Sequence, residues 1–447
     1  MPVNRLHSRK AMATTISTGL NATINRLAVE DRAIHDWYRF VLGYPAHLVS
    51  LYLERFAADP SKHVIFDPFC GTGTTPIEAK KQGFETVSFD ANPMAVFATN
   101  VKTNWSVDTT ALELQNKRIL ARYRTKLDRN GLNLPRARVR GEKGCVKELL
   151  SPEMARVMPT GFISPQPYAK VMLLKQLIDE VQNTEIRDLY RLALAAILVE
   201  AVGNIGFGPE VYMTKPKPDA PVDALFSRKI HDMLEDLRFC QESGLERITS
   251  FVAPDDARSL QNLGSHKKVD IVITSPPYPN EKDYTRSTRL ESIILGFIEN
   301  VEDLREIKRH LLKSNTRTIH KGDADDKYVR RFASIQNLAR EIEEKRISLH
   351  KTSGFERLYH RVVTLYFGGL YRHLEALKPH MNRGGKLAYV VGDQMSFFRI
   401  HIRTGSLLAE IADSLGYRVK SIDLWRERLS TSTKLMLREE VVVLEIP

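Results

Sequence analysis

Between the apolar run Val64-Ile65-Phe66 and the helix-forming string Pro76-Ile77-Glu78-Ala79-Lys80-Lys81 lies Asp67-Pro68-Phe69-Cys70-Gly71-Thr72-Gly73-Thr74-Thr75. A buried strand, a glycine-rich turn and a helix in that order form the opening unit of a doubly wound α/β sheet. Gly71 and Gly73 admit positive φ and let a ligand approach the backbone closely. Two nucleotide-binding patterns fit poorly. A Walker loop ends in Gly-Lys-Ser/Thr, yet no lysine follows Gly73 until Lys80. The dinucleotide fingerprint has a third glycine that is missing here, so a pyrophosphate is not the implied ligand.

Thr86-Val87-Ser88-Phe89-Asp90 reads as a second strand, ending in an acid 17 residues beyond Gly73, and Ala91-Asn92-Pro93 opens another helix. A carboxylate at that strand tip is placed to accept both ribose hydroxyls of an adenosine. Phe251-Val252-Ala253-Pro254-Asp255-Asp256 ends a further strand in the same way, which places Asp256 to take the adenine amine. Each acid alone also fits a helix N-cap or a loop position. Their serial placement at strand ends favours a nucleoside ligand.

A fourth strand, Val269-Asp270-Ile271-Val272-Ile273, runs into Thr274-Ser275-Pro276-Pro277-Tyr278. The two prolines fix φ near −65° and remove two backbone donors, leaving carbonyl oxygens as acceptors with no amide beside them. Such a turn suits a substrate amine. Ser275 adds a hydroxyl that can accept a second hydrogen bond, and Tyr278 a flat face for a nucleobase. The same string also fits an ordinary Pro-Pro turn with a half-buried tyrosine.

Together these blocks resemble the S-adenosylmethionine-dependent amino-methyltransferases that act on exocyclic amines of DNA bases. The resemblance implies an α/β fold with a Rossmann-like core: a mostly parallel doubly wound sheet with a C-terminal antiparallel hairpin, carrying helical insertions. It implies S-adenosyl-L-methionine as cofactor, held by Tyr38, Asp67, Phe69, Gly71, Gly73, Thr74, Asp90, Asp256 and Thr274, with Ser275, Pro276, Pro277 and Tyr278 as the catalytic tetrapeptide. Trp37 to Phe40 and Pro45 to Val49 are similar to the segment covering the methionine end of the cofactor. Gly384 to Asp393 and Glu439 to Ile446 look like later sheet strands.

In that family a serine heading the tetrapeptide accompanies cytosine N4 methylation, whereas aspartate or asparagine accompanies adenine N6 methylation. Ser275 therefore implies cytosine. Adenine methylation is the nearest alternative, and guanine N2 methylation of RNA follows because similar glycine loops occur in enzymes of that kind. A catalytically silent DNA-binding subunit is a fourth reading. Methylation at ring carbon 5 needs a cysteine nucleophile, commonly in a Pro-Cys pair, and the chain contains no Pro-Cys. Cys70, Cys145 and Cys240 form no CxxC and suggest neither a disulfide framework nor a zinc cluster. No metal is expected.

The net charge of +12 suits a polyanionic partner, DNA before RNA. No run approaches the roughly 18 apolar residues of a membrane span, and the N-terminus lacks an apolar signal core, so a cytoplasmic protein is expected. The core is expected in residues 1–100, 249–282 and 366–447, with helical insertions at 101–248 and 283–365. The first insertion is the candidate target-recognition region. Its basic positions, among them Arg122, Lys126 and Arg138, fit either phosphate contact or a solvated helix face. Tyr284 and Arg286, just after the catalytic turn, fit either a hold on the flipped strand or a seat for the following helix. The family setting suggests a restriction-modification or defence system, with a cognate endonuclease or defence subunit as partner.

Overall fold

The computed structural model describes residues 32–38, 43–132, 146–207, 211–430 and 433–447. Strands β1 (Ile65–Asp67) and β2 (Thr86–Asp90) come first. A separate hairpin of β3 (Ile205–Phe207) and β4 (Val211–Met213) follows. Then come β5 (Ser250–Pro254), β6 (Val269–Thr274), β7 (Met381–Gly392), β8 (Arg418–Leu429) and β9 (Met436–Glu445). Seven of these make one sheet in the order β5-β2-β1-β6-β7-β9-β8. The first five in that order are parallel. β9 runs antiparallel between β7 and β8. This is the expected α/β fold with a Rossmann-like, mostly parallel doubly wound sheet and a C-terminal antiparallel hairpin.

The chain steps outward from β1 to β2 and β5, then returns to β6 on the other side of β1. That reversal opens a crevice between the carboxyl ends of β1 and β6, where doubly wound sheets bind ligands. Both strands are largely buried on both faces, which is why they read as mostly apolar runs, broken in β6 only by the half-buried Asp270 and ended in β1 by Asp67.

Helices α1 (Ala46–Arg55) and α2 (Thr74–Lys81) cover one face, with Leu48, Val49, Tyr52 and Ala79 packed on Ile65, Ile271, Ile273, Ala388 and Val390. α3 (Pro93–Thr103) follows β2. A helical block then intervenes before β5: α4 (Thr109–Arg129), α5 (Pro152–Val157), α6 (Pro165–Asp179), α7 (Thr184–Ile197) and α8 (Val222–Glu242). It has its own apolar core, which reaches Ile77 of α2 and Met94 of α3. After β6 come α9 (Tyr284–Ser287), α10 (Arg289–Leu295), α11 (Val301–His310), α12 (Ala333–Ser348), α13 (Tyr359–Leu377) and, beyond β7, α14 (Thr404–Ser414). α13 and α14 cover the second face, setting Val362, Tyr366, Leu370, Leu408 and Ile411 against Phe66, Val272, Leu387, Tyr389 and Val442. Successive residues of a strand thus go to opposite cores, as the period of two requires.

Several sequence expectations need correcting. The boundary placed at residue 366 falls inside α13, because that helix ends the insertion and also buries its apolar side on the sheet. The boundary at 101 falls inside α3, whose buried Met94, Ala98 and Val101 join the apolar core of the helical block. The helical region 101–248 also holds the β3–β4 hairpin. Arg426 to Leu429 belong to β8 and pair with β9. Among the described residues, no helix is long and apolar enough to cross a membrane.

Candidate active site

The glycine loop is held from several sides. Cys70 N–H donates to Phe89 O at 2.9 Å and Gly73 N–H to Cys70 O at 2.8 Å. The Thr99 hydroxyl donates to Gly71 O at 2.8 Å. Lys102, buried in α3, donates to Thr72 O at 2.8 Å and to Tyr38 O at 3.3 Å, tying the N-terminal segment to the loop. Gly73 caps α2 at φ +90°, and a Cβ there would meet the Thr99 side chain at 3.1 Å. Only glycine suits that position.

Beneath the loop, Asp67 links β1 to β6. Its Oδ1 accepts the Phe69 amide at 3.1 Å and the Thr274 hydroxyl at 2.6 Å. Its Oδ2 faces the Tyr44 hydroxyl at 3.5 Å. Burial pushes the Asp67 carboxyl up to about 7. The Thr75 hydroxyl, which contacts Tyr44, donates to Ile273 O at 2.9 Å. The two ligand-facing turns are therefore cross-linked below the crevice.

Above this floor is a cavity of about 390 Å³. Among its walls are Tyr38, Phe69, Gly71, Thr74, Asp90 and Asp256 from the cofactor expectation, all four residues of the tetrapeptide, and Tyr284. Asp67, Gly73 and Thr274 do not line it; they shape the floor and the turn. Arg122 and Lys126 on α4 do not line it either, and neither does Arg286. Arg122 pairs with Glu180 at 2.5 Å on an exposed surface, which agrees with a solvated helix face. Arg138 lies outside the described residues.

Asp90 closes one end of the cavity. Its Oδ2 accepts the Gly71 amide at 2.9 Å and its Oδ1 the Asn92 amide at 2.8 Å, so the acid holds the glycine loop and the start of α3 together. Burial raises its pKa, and the backbone amides offset part of that. Each carboxylate oxygen keeps a lone pair for a ribose hydroxyl. Asp256 is placed differently. Arg258, itself buried, grips both its oxygens, with Nε at 2.9 Å from Oδ1 and Nη2 at 2.7 Å from Oδ2. Arg258 also reaches Asp325 at 2.8 Å. Burial acts to raise the Asp256 pKa, but the hydrogen bonds and charge of Arg258 outweigh it and hold the acid below its ordinary value. This ion cluster walls the cavity and occupies most of the acceptor capacity expected for the adenine amine.

The catalytic turn is braced from inside. Burial, then Glu439, raise the Tyr278 pKa, and the neighbouring Ser275 side chain acts to lower it. The Tyr278 amide donates to the Tyr284 hydroxyl at 3.3 Å. Tyr284, expected near the flipped strand, thus supports the tetrapeptide. Sequence reasoning missed Tyr44, Asn92, Trp425, Arg426, Arg428 and Glu439 as cavity residues. The last four come from the antiparallel β8–β9 pair, whose arrival beside β6 and β7 is a matter of topology.

The lining fits S-adenosylmethionine: a carboxylate at the end of β2 suits a ribose, and apolar Phe69, Ala257 and Leu312 suit a base.

No protein-family profile matches the chain. It is 23% identical over 466 residues to the Type II methyltransferase M.BsoBI of Geobacillus stearothermophilus, covering 95% of this chain and 89% of that one. It is 25% identical over 202 residues to the Type II methyltransferase M.AvaI of a Nostoc species and of Anabaena variabilis, a match spanning 43% of this chain and 39% of theirs. Among solved structures, TrmN from Thermus thermophilus overlaps 94% of this chain and 53% of its own at a TM-score of 0.29 and 11% identity.

Proposed function

We propose that this chain, which belongs with the S-adenosylmethionine-dependent DNA methyltransferases, methylates the exocyclic N4 amine of cytosine at a specific DNA sequence. The reading rests above all on one observation: the β1 glycine loop and the Ser275-Pro276-Pro277-Tyr278 turn line a single cavity.

When bound, S-adenosylmethionine supplies the methyl group on an activated sulfonium, so the protein's share of the work is placement and exclusion of water. Asp90 accepts the ribose hydroxyls, and Phe69 flanks the adenine. Ser275 and the Pro276 carbonyl accept the two N–H groups of the target amine. Their pull favours a pyramidal nitrogen with an available lone pair. As positive charge grows on that nitrogen, fixed acceptors stabilise the transition state more than the ground state. Tyr278 offers its ring to the flipped base, recovering part of an unstacking cost of about a few kcal/mol. Tyr284 keeps Tyr278 in place.

Serine at the head of the tetrapeptide supports cytosine over adenine, and similarity to two type II methyltransferases supports DNA over RNA. A restriction-modification setting in the cytoplasm follows, with an endonuclease of matching specificity as its companion. Incubation with methyl-labelled cofactor and either plasmid DNA or tRNA, followed by nucleoside mass spectrometry, tests the assignment. N4-methyldeoxycytidine is the expected product. N6-methyldeoxyadenosine, 5-methyldeoxycytidine or label confined to tRNA would each overturn it.

A further inference from the structure

Arg426 stands in the cavity wall on β8, directly opposite Glu439 of β9. From Ser421 opposite Val443 to Leu424 opposite Glu440 the ladder between these strands is regular, and it then shifts register so that Trp425 is the extra residue and Arg426 meets Glu439. Bulges of this kind re-aim side chains beside active sites. Here Trp425 and Arg426, neighbours in sequence, both face the cavity.

The guanidinium is fixed from one edge. Nε and Nη2 of Arg426 each lie 2.5 Å from Oε2 of Glu439. Nη1 has no hydrogen-bond partner among the described residues. Arg428 differs, for it contacts Glu439 at 3.3 Å and also donates to Asp393 O at 3.1 Å and Gln394 at 3.3 Å. Glu439 in turn sits close to the catalytic turn. A Cβ built on Gly392 would lie 3.0 Å from Tyr278 Cε2 and 3.3 Å from Glu439 Cγ, so the tyrosine ring and the acid converge on one point. The charges of Arg426 and Glu439 both act on the Tyr278 hydroxyl.

We propose that Arg426, anchored by Glu439, donates from Nη1 to the O2 carbonyl of the target cytosine and so selects cytosine against adenine. The inference rests on the cytosine reading above. With the amine and its adjacent ring nitrogen superposed, cytosine presents an oxygen where adenine presents C2–H. A cation facing C2–H is left without its acceptor, and sites built to bond a polar group reject analogues lacking it strongly. The negative Glu439 offsets the charge of Arg426, so the pair reads an acceptor without adding net positive charge beside the methylation site. Ser275 then recognises an amine, and Arg426 establishes which base carries it.

The test is a coupling experiment on the full-length protein. Single-turnover methylation is measured on duplexes whose mapped target cytosine is kept or replaced by a 2-aminopyridine C-nucleoside, which retains the amine and adjacent ring nitrogen but lacks the carbonyl. Wild type is expected to slow by at least about tenfold on the analogue. Arg426→Ala should be slowed on cytosine by a similar factor, yet lose less than about threefold more on the analogue, because the two changes delete one interaction. Arg426→Gln keeps an amide donor on a shorter stem and should recover part of the rate on cytosine alone. Calorimetric cofactor affinity within about twofold of wild type would show that the variants keep their fold. Independent, multiplying losses in an enzyme that makes N4-methylcytosine would overturn this inference alone. A wild type that methylates adenine would overturn it together with the reading beneath it.

Discussion

The hydroxyl of Thr274 donates a 2.6 Å hydrogen bond to the buried carboxylate of Asp67, joining residues 207 positions apart in the chain. One lies at the end of β6 and the other at the end of β1, so this bond fastens the catalytic turn to the glycine loop. Thr274→Val removes the donor at nearly constant volume and leaves Asp67 Oδ1 with the Phe69 amide. Loss of a buried bond to a carboxylate is expected to cost about 1–3 kcal/mol. Urea unfolding measures that loss, and methyl transfer should fall alongside it.

Asp67 also gives the protein a pH dependence. Its folded pKa is raised from 3.8 to about 7 by burial. Between these values the unfolded chain has released the proton and the folded chain still holds it. The stability contribution is therefore complete below the unfolded value and is lost as pH rises through the folded one. Glu291, raised to about 7 by burial, acts in the same direction. His35 and His373, lowered from 6.5 to about 4 by burial, act oppositely between those two values, where stability is lost as pH falls. Comparison of Asp67→Asn with wild type isolates the Asp67 share. The variant should lose less unfolding free energy between pH values of about 5 and 8 than wild type does.

Ser275→Ala separates chemistry from binding. Removing one acceptor aimed at the reacting nitrogen should reduce kcat on the order of 10²-fold. Cofactor affinity, measured by calorimetry, should change little. Equal loss of both would contradict the role given to Ser275.

Asp90→Ala should do the reverse. The acid accepts the Gly71 and Asn92 amides and faces the ribose position. Losing it should raise the cofactor Kd by at least about tenfold, the equivalent of one charge-assisted hydrogen bond. Saturating cofactor should then restore part of the rate.

Gly392→Ala probes the seat of Tyr278. The added methyl would come within 3.0 Å of Tyr278 Cε2, so the ring or the strand must shift. A displaced catalytic ring should slow transfer by about tenfold or more while cofactor affinity holds.

The parts of this fold that local pattern governs were legible in the sequence. β1, β2, β5 and β6 are short apolar runs ended by acids or prolines, and Gly73, Asn92 and Pro93 mark helix starts by their backbone chemistry. The cavity walls contributed by distant chain were not legible. Arg426 and Glu439 meet Tyr278 because β9 inserts antiparallel between β7 and β8, a pairing set by register across the sheet. Asp256 was readable as an acid at a strand end, but the grip of Arg258 depends on a cluster that also includes Asp325, 67 residues onward. For Arg122 the sequence left phosphate contact and a solvated helix face equally open, because its partner Glu180 lies 58 residues onward in the helical block. For Tyr284 the sequence offered a hold on the flipped strand or a seat for the following helix, because nothing in its neighbours announces that it accepts the Tyr278 amide.

The most direct test is a crystal structure of the full chain with S-adenosylhomocysteine. The ribose should bond Asp90, and the sulfur should face the Ser275 to Tyr278 turn across the crevice between β1 and β6. A ligand bound elsewhere, or one whose sulfur points away from that turn, would contradict the account.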